Sequence, residues 1–148
     1  MLPLRKLVCP TDFSAPSYAA LAQASELAAH FGAELGVLHV VPTISEEVAP
    51  GVYAAPDYNG PRLTAARERL CKIIDERVPQ DVKVYPIVRL GEAGDEIVHA
   101  TQHEGADLLV MATHGLTGWR HLLFGSVAER VLRLTQSPIL IVHAPLEQ

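Results

Sequence analysis

The sequence predicts an α/β fold: a doubly wound, five-stranded parallel sheet in the order 3-2-1-4-5, with helices on both faces. Two observations lead there. Strand-like and helix-like segments alternate along the whole chain, which calls for a parallel sheet covered on both sides. Of the 148 residues, 49% are apolar, yet only one Trp and three Phe are among them, so the core is built mostly from Leu, Ile, Val and Ala. Right-handed crossovers then leave few topologies, and the order given is the one found in nucleotide-binding halves of this type.

Each element has its own signal. Leu7-Val8-Cys9 is a short apolar run stopped by Pro10, hence a buried strand. Ser14 is a natural N-cap and Pro16 suits a first helical turn. Leu21, Ala24, Leu27, Ala28 and Phe31 then recur at helical spacing up to Gly32, the expected stop. Leu35 to Val41 reads as the second strand. Pro42 to Tyr58, with three prolines, reads as a long irregular segment, either a lid over a ligand or a surface crossover.

Leu63, Ala66, Leu70, Ile73 and Ile74 mark a second helix, and Val82 to Val88 a third strand. Gly91 and Gly94 are expected to turn the chain into a third helix through Ile97, Val98 and Ala100, stopped at Gly105. Leu108 to Met111 is the fourth strand, followed by a loop. The last helix carries Val127, Val131 and Leu134 on one face, Ser137-Pro138 ends it, and Ile139 to Val142 is the fifth strand. A single domain over 1–148 is expected, with no internal repeat.

Composition bounds the function. The net charge is −5 and no long Lys or Arg run occurs, which argues against a nucleic-acid surface. Backbone N–H groups can still hold phosphates. Neither a signal-peptide core nor a bilayer-length apolar run is present, so a cytoplasmic protein with no membrane partner is expected. Cys9 and Cys71, far apart and outside any CxxC, read as reduced thiols. His99 and His103, at i and i+4, read as surface histidines, since no carboxylate signature accompanies them.

In the predicted sheet the strand order reverses between strands one and four, and ligands bind at such a point beyond the carboxyl ends of the strands. The two loops there are Pro10-Thr11-Asp12-Phe13-Ser14 and Met111-Ala112-Thr113-His114-Gly115. Gly125-Ser126 opens the last helix beside them. Ser126 is either an anion donor at a helix N-terminus or simply an N-cap. Asp12 is either a partner for a ribose hydroxyl, base amino group or cation, or the organiser of its own turn. His114 could face a phosphate or stabilise its loop.

These segments together resemble the universal stress protein family, whose fold is Rossmann-like. The resemblance rests on Lys6 through Ser14, on Leu38-His39-Val40, on Ala106 through Met111, and on Gly125 through Val131 followed by Ser137 through Val142. It implies a stress-response sensor or adaptor that binds ATP, AMP or another adenine nucleotide. Pro10, Thr11 and Asp12 would border the adenosine, and Val40 would read the adenine edge. Met111, Ala112, His114 and Gly115 would line the ribose and phosphate path. Gly125, Ser126, Val127 and Ala128 would hold the phosphates, with Mg²⁺ or Mn²⁺ as a bridge and Arg120 in the intervening loop. The family also implies a homodimer through the C-terminal edge strand, with Ile139 and Ile141 at the interface, and an unassigned regulatory protein partner.

Nucleotide-binding members of the family carry Gly-x2-Gly-x9-Gly-Ser/Thr. Here Gly115, Gly125 and Ser126 match, while Ala112 stands at the first glycine. If position 112 requires positive φ, alanine costs on the order of 1 kcal/mol; if it only requires room, a methyl is tolerated. Two other readings follow from the same residues. One is an adaptor without nucleotide, acting through protein contacts alone. The other is a slow ATPase, although neither a P-loop nor a nucleophile–base pair can be assigned.

Overall fold

The structure, a computed structural model, describes residues 2–44, 59–113 and 125–144. The elements are β1 (Lys6–Pro10), α1 (Ala15–Phe31), β2 (Glu34–Val41), α2 (Asn59–Arg77), β3 (Lys83–Leu90), α3 (Ala93–His103), β4 (Leu108–Thr113), α4 (Ser126–Leu134) and β5 (Ile139–His143). The five strands form one sheet in the order β3-β2-β1-β4-β5. Every neighbouring pair is parallel. This is the architecture and strand order expected from the sequence.

Side-chain alternation explains the layers. Leu7 and Cys9 of β1 join Leu35, Val37 and Val110 in a core closed by Leu21 and Ala24 of α1 and by Leu70 and Ile74 of α2. Val8, between them, points the other way and joins Leu38, Ile87, Leu109 and Met111 under Ile97 of α3 and Val131 of α4. Successive β residues face opposite sides, so a strand covered on both faces must be apolar throughout. Leu7, Leu21, Leu35, Leu38 and Leu109 are fully buried, each contributing about 1.5–3 kcal/mol.

The caps of α1 fall where the sequence places them. Ser14 accepts from the Ser17 N–H, proline occupies the first turn, and Gly32 at φ 63° closes the helix in the left-handed region. Elsewhere the boundaries shift. Glu92, not a glycine, caps α3 by accepting the Asp95 N–H. Gly94 lies inside the helix, where a Cβ would meet the Arg130 stem at 3.0 Å. β4 runs two residues past Met111, because Ala112 and Thr113 pair with Val142 and His143 of β5. Leu134, expected on the buried face of α4, is 43% exposed in the last turn. Of the Pro42 to Tyr58 segment, 45–58 lie outside the described residues.

Cys9 and Cys71 are free. Burial pushes the Cys9 thiol up to about 12, which makes it inert. No helix among the described residues is long and apolar enough to cross a membrane. His99 and His103 are exposed, and the described residues contain no group of three side chains suited to a metal.

Asp107 fastens the start of β1 to the turn before β4. Its Oδ2 accepts the Arg5 N–H at 2.8 Å and the Lys6 N–H at 3.0 Å. These two donors, Arg5 first, hold its carboxyl below the ordinary value. A depressed carboxyl stabilises the fold above its unfolded pKa, and that contribution fades as pH falls through the folded value. Asp107→Asn should therefore lower stability at pH 7 by about 1 kcal/mol, solvent screening keeping it small. The gap from the parent protein should close progressively below about pH 4. Thermal melts across that range measure it.

Candidate functional site

β1 pairs with β2 over five positions, from Lys6↔Glu34 to Pro10↔Leu38. With β4 it pairs only at Leu7↔Leu108 and Val8↔Leu109. Past those residues the two central strands part, and the chain leaves them for opposite faces of the sheet. A cleft of about 250 Å³ opens there, at the carboxyl ends of the strands. The volume is just below the usual range for small-molecule pockets.

One wall is the turn from β1 into α1. Thr11 N–H donates to the Leu38 carbonyl at 2.8 Å, carrying the β1–β2 pairing one residue past the strand. The buried Thr11 hydroxyl accepts the Phe13 N–H at 3.0 Å and pairs with the Ser17 hydroxyl at 2.8 Å. Asp12 Oδ1 accepts the Ser14 N–H at 3.0 Å and the Ser14 hydroxyl. Asp12 thus organises its turn, as one sequence reading had it, and it also lines the cleft.

Phe13 is the one non-glycine residue at positive φ, 64°, among the described residues. Such a conformation costs of order 1–3 kcal/mol and needs its surroundings to enforce it. The Phe13 ring packs on His39 at 4.4 Å, and the Arg69 guanidinium of α2 lies 4.0 Å from its centroid. His39 Nδ1 is 2.8 Å from the Thr11 carbonyl. A carbonyl only accepts, so the imidazole carries its proton on Nδ1.

Three helix N-termini reach the cleft. α1 contributes Ser14, Pro16 and Ser17, α3 contributes Ala93 and Ile97, and α4 contributes Gly125 through Ala128. The first two are capped by side chains, Ser14 and Glu92. α4 is not: its N-cap is Gly125, and among the described residues no side chain caps its first turn. Ser126 is therefore the first helical residue rather than the cap. Those first-turn N–H groups and the positive end of the helix dipole are available to an anion.

Ten of the twelve site residues named from sequence line this cleft: Pro10, Thr11, Asp12, Val40, Met111, Ala112, Gly125, Ser126, Val127 and Ala128. His114 and Gly115, like Arg120, lie outside the described residues. Ala112 sits in extended β4 and is not among the residues at positive φ. The strain considered for alanine at that position does not arise. Sequence reasoning placed Ser14 and Thr113 in the two turns at the cleft without giving them a ligand role, and missed Pro16, Ser17, Leu38, His39, Ala93 and Ile97 as lining residues. The one-turn spacing of Ser14 and Ser17, and of Ala93 and Ile97, was a usable signal. Leu38 and His39 gave none beyond their place near a strand end.

The model of the Universal stress protein family matches residues 3–143. Among curated relatives, Universal stress protein MJ0531 of Methanocaldococcus jannaschii is 32% identical, over 97% of this chain and 85% of that protein. The solved structure of protein MJ0577, from the same organism, superimposes with a TM-score of 0.78 at 28% identity, covering 97% of this chain and 99% of that one. A universal stress protein solved in complex with cAMP superimposes with a TM-score of 0.61 at 26% identity, covering 95% of this chain and 97% of that one.

Thr11→Val removes the hydroxyl that serves Phe13 N–H and Ser17 while keeping side-chain volume. It should destabilise the fold by about 1–3 kcal/mol, the cost of leaving a part-buried donor unserved. Urea unfolding of the two proteins side by side measures it.

Proposed function

This chain belongs to the universal stress protein family, and from that premise we propose that its cleft binds an adenine nucleotide and that it acts as a stress-response sensor or adaptor in a homodimer. The observation that carries the reading is the first turn of α4 at the cleft, which no side chain among the described residues caps. The cAMP complex of a structural relative gives it a ligand class.

The residues divide by chemistry. Val40 stands at the open end of β2, where its backbone groups can meet the adenine edge. Asp12 is an acceptor suited to ribose hydroxyls and unsuited to bare phosphate. Gly125 brings no side chain between a phosphate and the N–H groups of Ser126, Val127 and Ala128. His114 and Gly115 would complete the path from outside the described residues. Asp12 is the cleft carboxylate that would hold a Mg²⁺ or Mn²⁺ ion, which would supply positive charge to the phosphates, since such ions take one or two carboxylates plus phosphate oxygens.

The two sheet edges support the homodimer. β3 is guarded by Pro86 in mid-strand and by Lys83 and Arg89. β5 is the other edge; Ile139 through Val142 contain neither proline nor charge, and Leu140 is 38% exposed. Such an edge invites a second copy, with Ile139 and Ile141 at the seam.

Two experiments test this. Proline is tolerated at a first helical position, and Gly125, at φ −59° and ψ 160°, has the extended backbone that precedes proline readily. Ser126→Pro therefore deletes one N–H and leaves α4 in place. Calorimetry should show AMP, ATP and cAMP binding weakened roughly tenfold relative to Ser126→Ala, with adenosine unchanged. A parent protein that binds none of these ligands would sink the reading. For the assembly, Leu140→Lys should turn a dimer into a monomer in sedimentation velocity; a monomeric parent protein would count against the edge.

A further inference from the structure

Two of the helix ends that border the cleft are joined by a single side chain. Arg130 of α4 donates from Nε to Asp95 Oδ1 at 2.7 Å and from its terminal nitrogen to Asp95 Oδ2 at 3.2 Å. Glu92, the α3 cap, lies 3.7 Å from the same Nε. The stem of Arg130 rests on bare Gly94 backbone, where a Cβ would meet its Cβ and Cγ at 3.0 Å. Asp95 is the third residue of α3 and Arg130 the fifth of α4. The clamp thus lies about 6 Å, little more than one turn, along α4 from Ser126.

We propose that Arg130, Asp95 and Gly94 form a positioning clamp that sets the gap between the α3 and α4 N-termini and so fixes the first-turn N–H groups of α4 for the phosphate of the ligand. This rests on the nucleotide reading above and names the part of the protein that tunes it. Two parallel helix ends present positive poles to one cleft and repel each other. Asp95 offsets those poles from within the first turn of α3. A forked guanidinium holds its carboxylate in one plane and direction, which a lysine would not do. Gly94 sets the distance of approach. Every atom of the clamp stands outside the cleft lining, so it acts through Gly125 to Ala128 and touches no ligand.

The clamp makes the phosphate end of the ligand its target. Arg130→Met cuts the fork, and Gly94→Ala wedges the helices apart with all charges retained. In the unliganded protein both should speed amide hydrogen exchange at Ser126 through Ala128. Both should weaken AMP by roughly fivefold to tenfold and leave adenosine within about twofold. Unchanged exchange in both variants overturns the clamp whether or not a ligand binds. Equal loss of AMP and adenosine overturns it too, since that is general loosening of the fold. A parent protein that binds no AMP fails the nucleotide reading instead, and the exchange result still judges the clamp.

Discussion

The parting of β1 from β4 is the constraint on which the site depends. Two parallel strands hydrogen-bonded along their full length would leave no opening between them. Here the ladder lasts for Leu7 and Val8 only, while each strand keeps a second neighbour to its end. β2 holds β1 as far as Pro10, and β5 holds β4 as far as Thr113. The two strands are thereby free to part at the one place where crossovers diverge to both faces of the sheet. Polar residues can be tolerated there without a buried, unserved donor.

What gathers at that opening is polarity of a particular kind. Thr11, Ser14, Ser17, Thr113 and Ser126 bring hydroxyls, and three helices bring their N-terminal ends. Hydroxyls and peptide N–H groups are neutral, so they cost less to desolvate than charged side chains would when a ligand fills the cleft. The β1–α1 turn shows how firmly they are fixed. Phe13 holds an unfavourable backbone with its ring packed on His39 and with the Arg69 guanidinium against it. The same His39 bonds the Thr11 carbonyl, so ring stacking and backbone direction are set by one residue.

The elements of the fold were legible in the sequence because they follow from chemistry that is local and repetitive. Apolar runs too short to be helices, caps at Ser14 and Gly32, and handedness leave few topologies, and the analogy with nucleotide-binding halves picks the order among them. The lining of the cleft was legible for a second reason: a strand order that reverses must place the turns after strands one and four together. The gaps have equally physical causes. Gly94 looks like a turn residue, yet its bareness serves the approach of Arg130 from a helix 36 residues later, which no local window contains. Ala112 and Thr113 looked like loop because they follow an apolar run, and only the β5 register makes them strand. Ser126 looked like a cap, but Gly125 takes that place and leaves the hydroxyl in the first turn.

The register of β4 and β5 also ties the cleft to the free edge of the sheet. Thr113 is 4% exposed and lines the cleft, and its partner across the ladder is His143, the last residue of the edge strand. Their side chains face the same side and lie 3.3 Å apart, hydroxyl to Nδ1. If the imidazole nitrogen accepts, the threonine hydroxyl is spent on it and offers the cleft only lone pairs. If it donates, the hydroxyl proton is free to point inward. One hydrogen bond therefore separates the hydroxyl lining of the site from the strand left without a neighbour, and a chain added to that strand would lie against the residue that directs it.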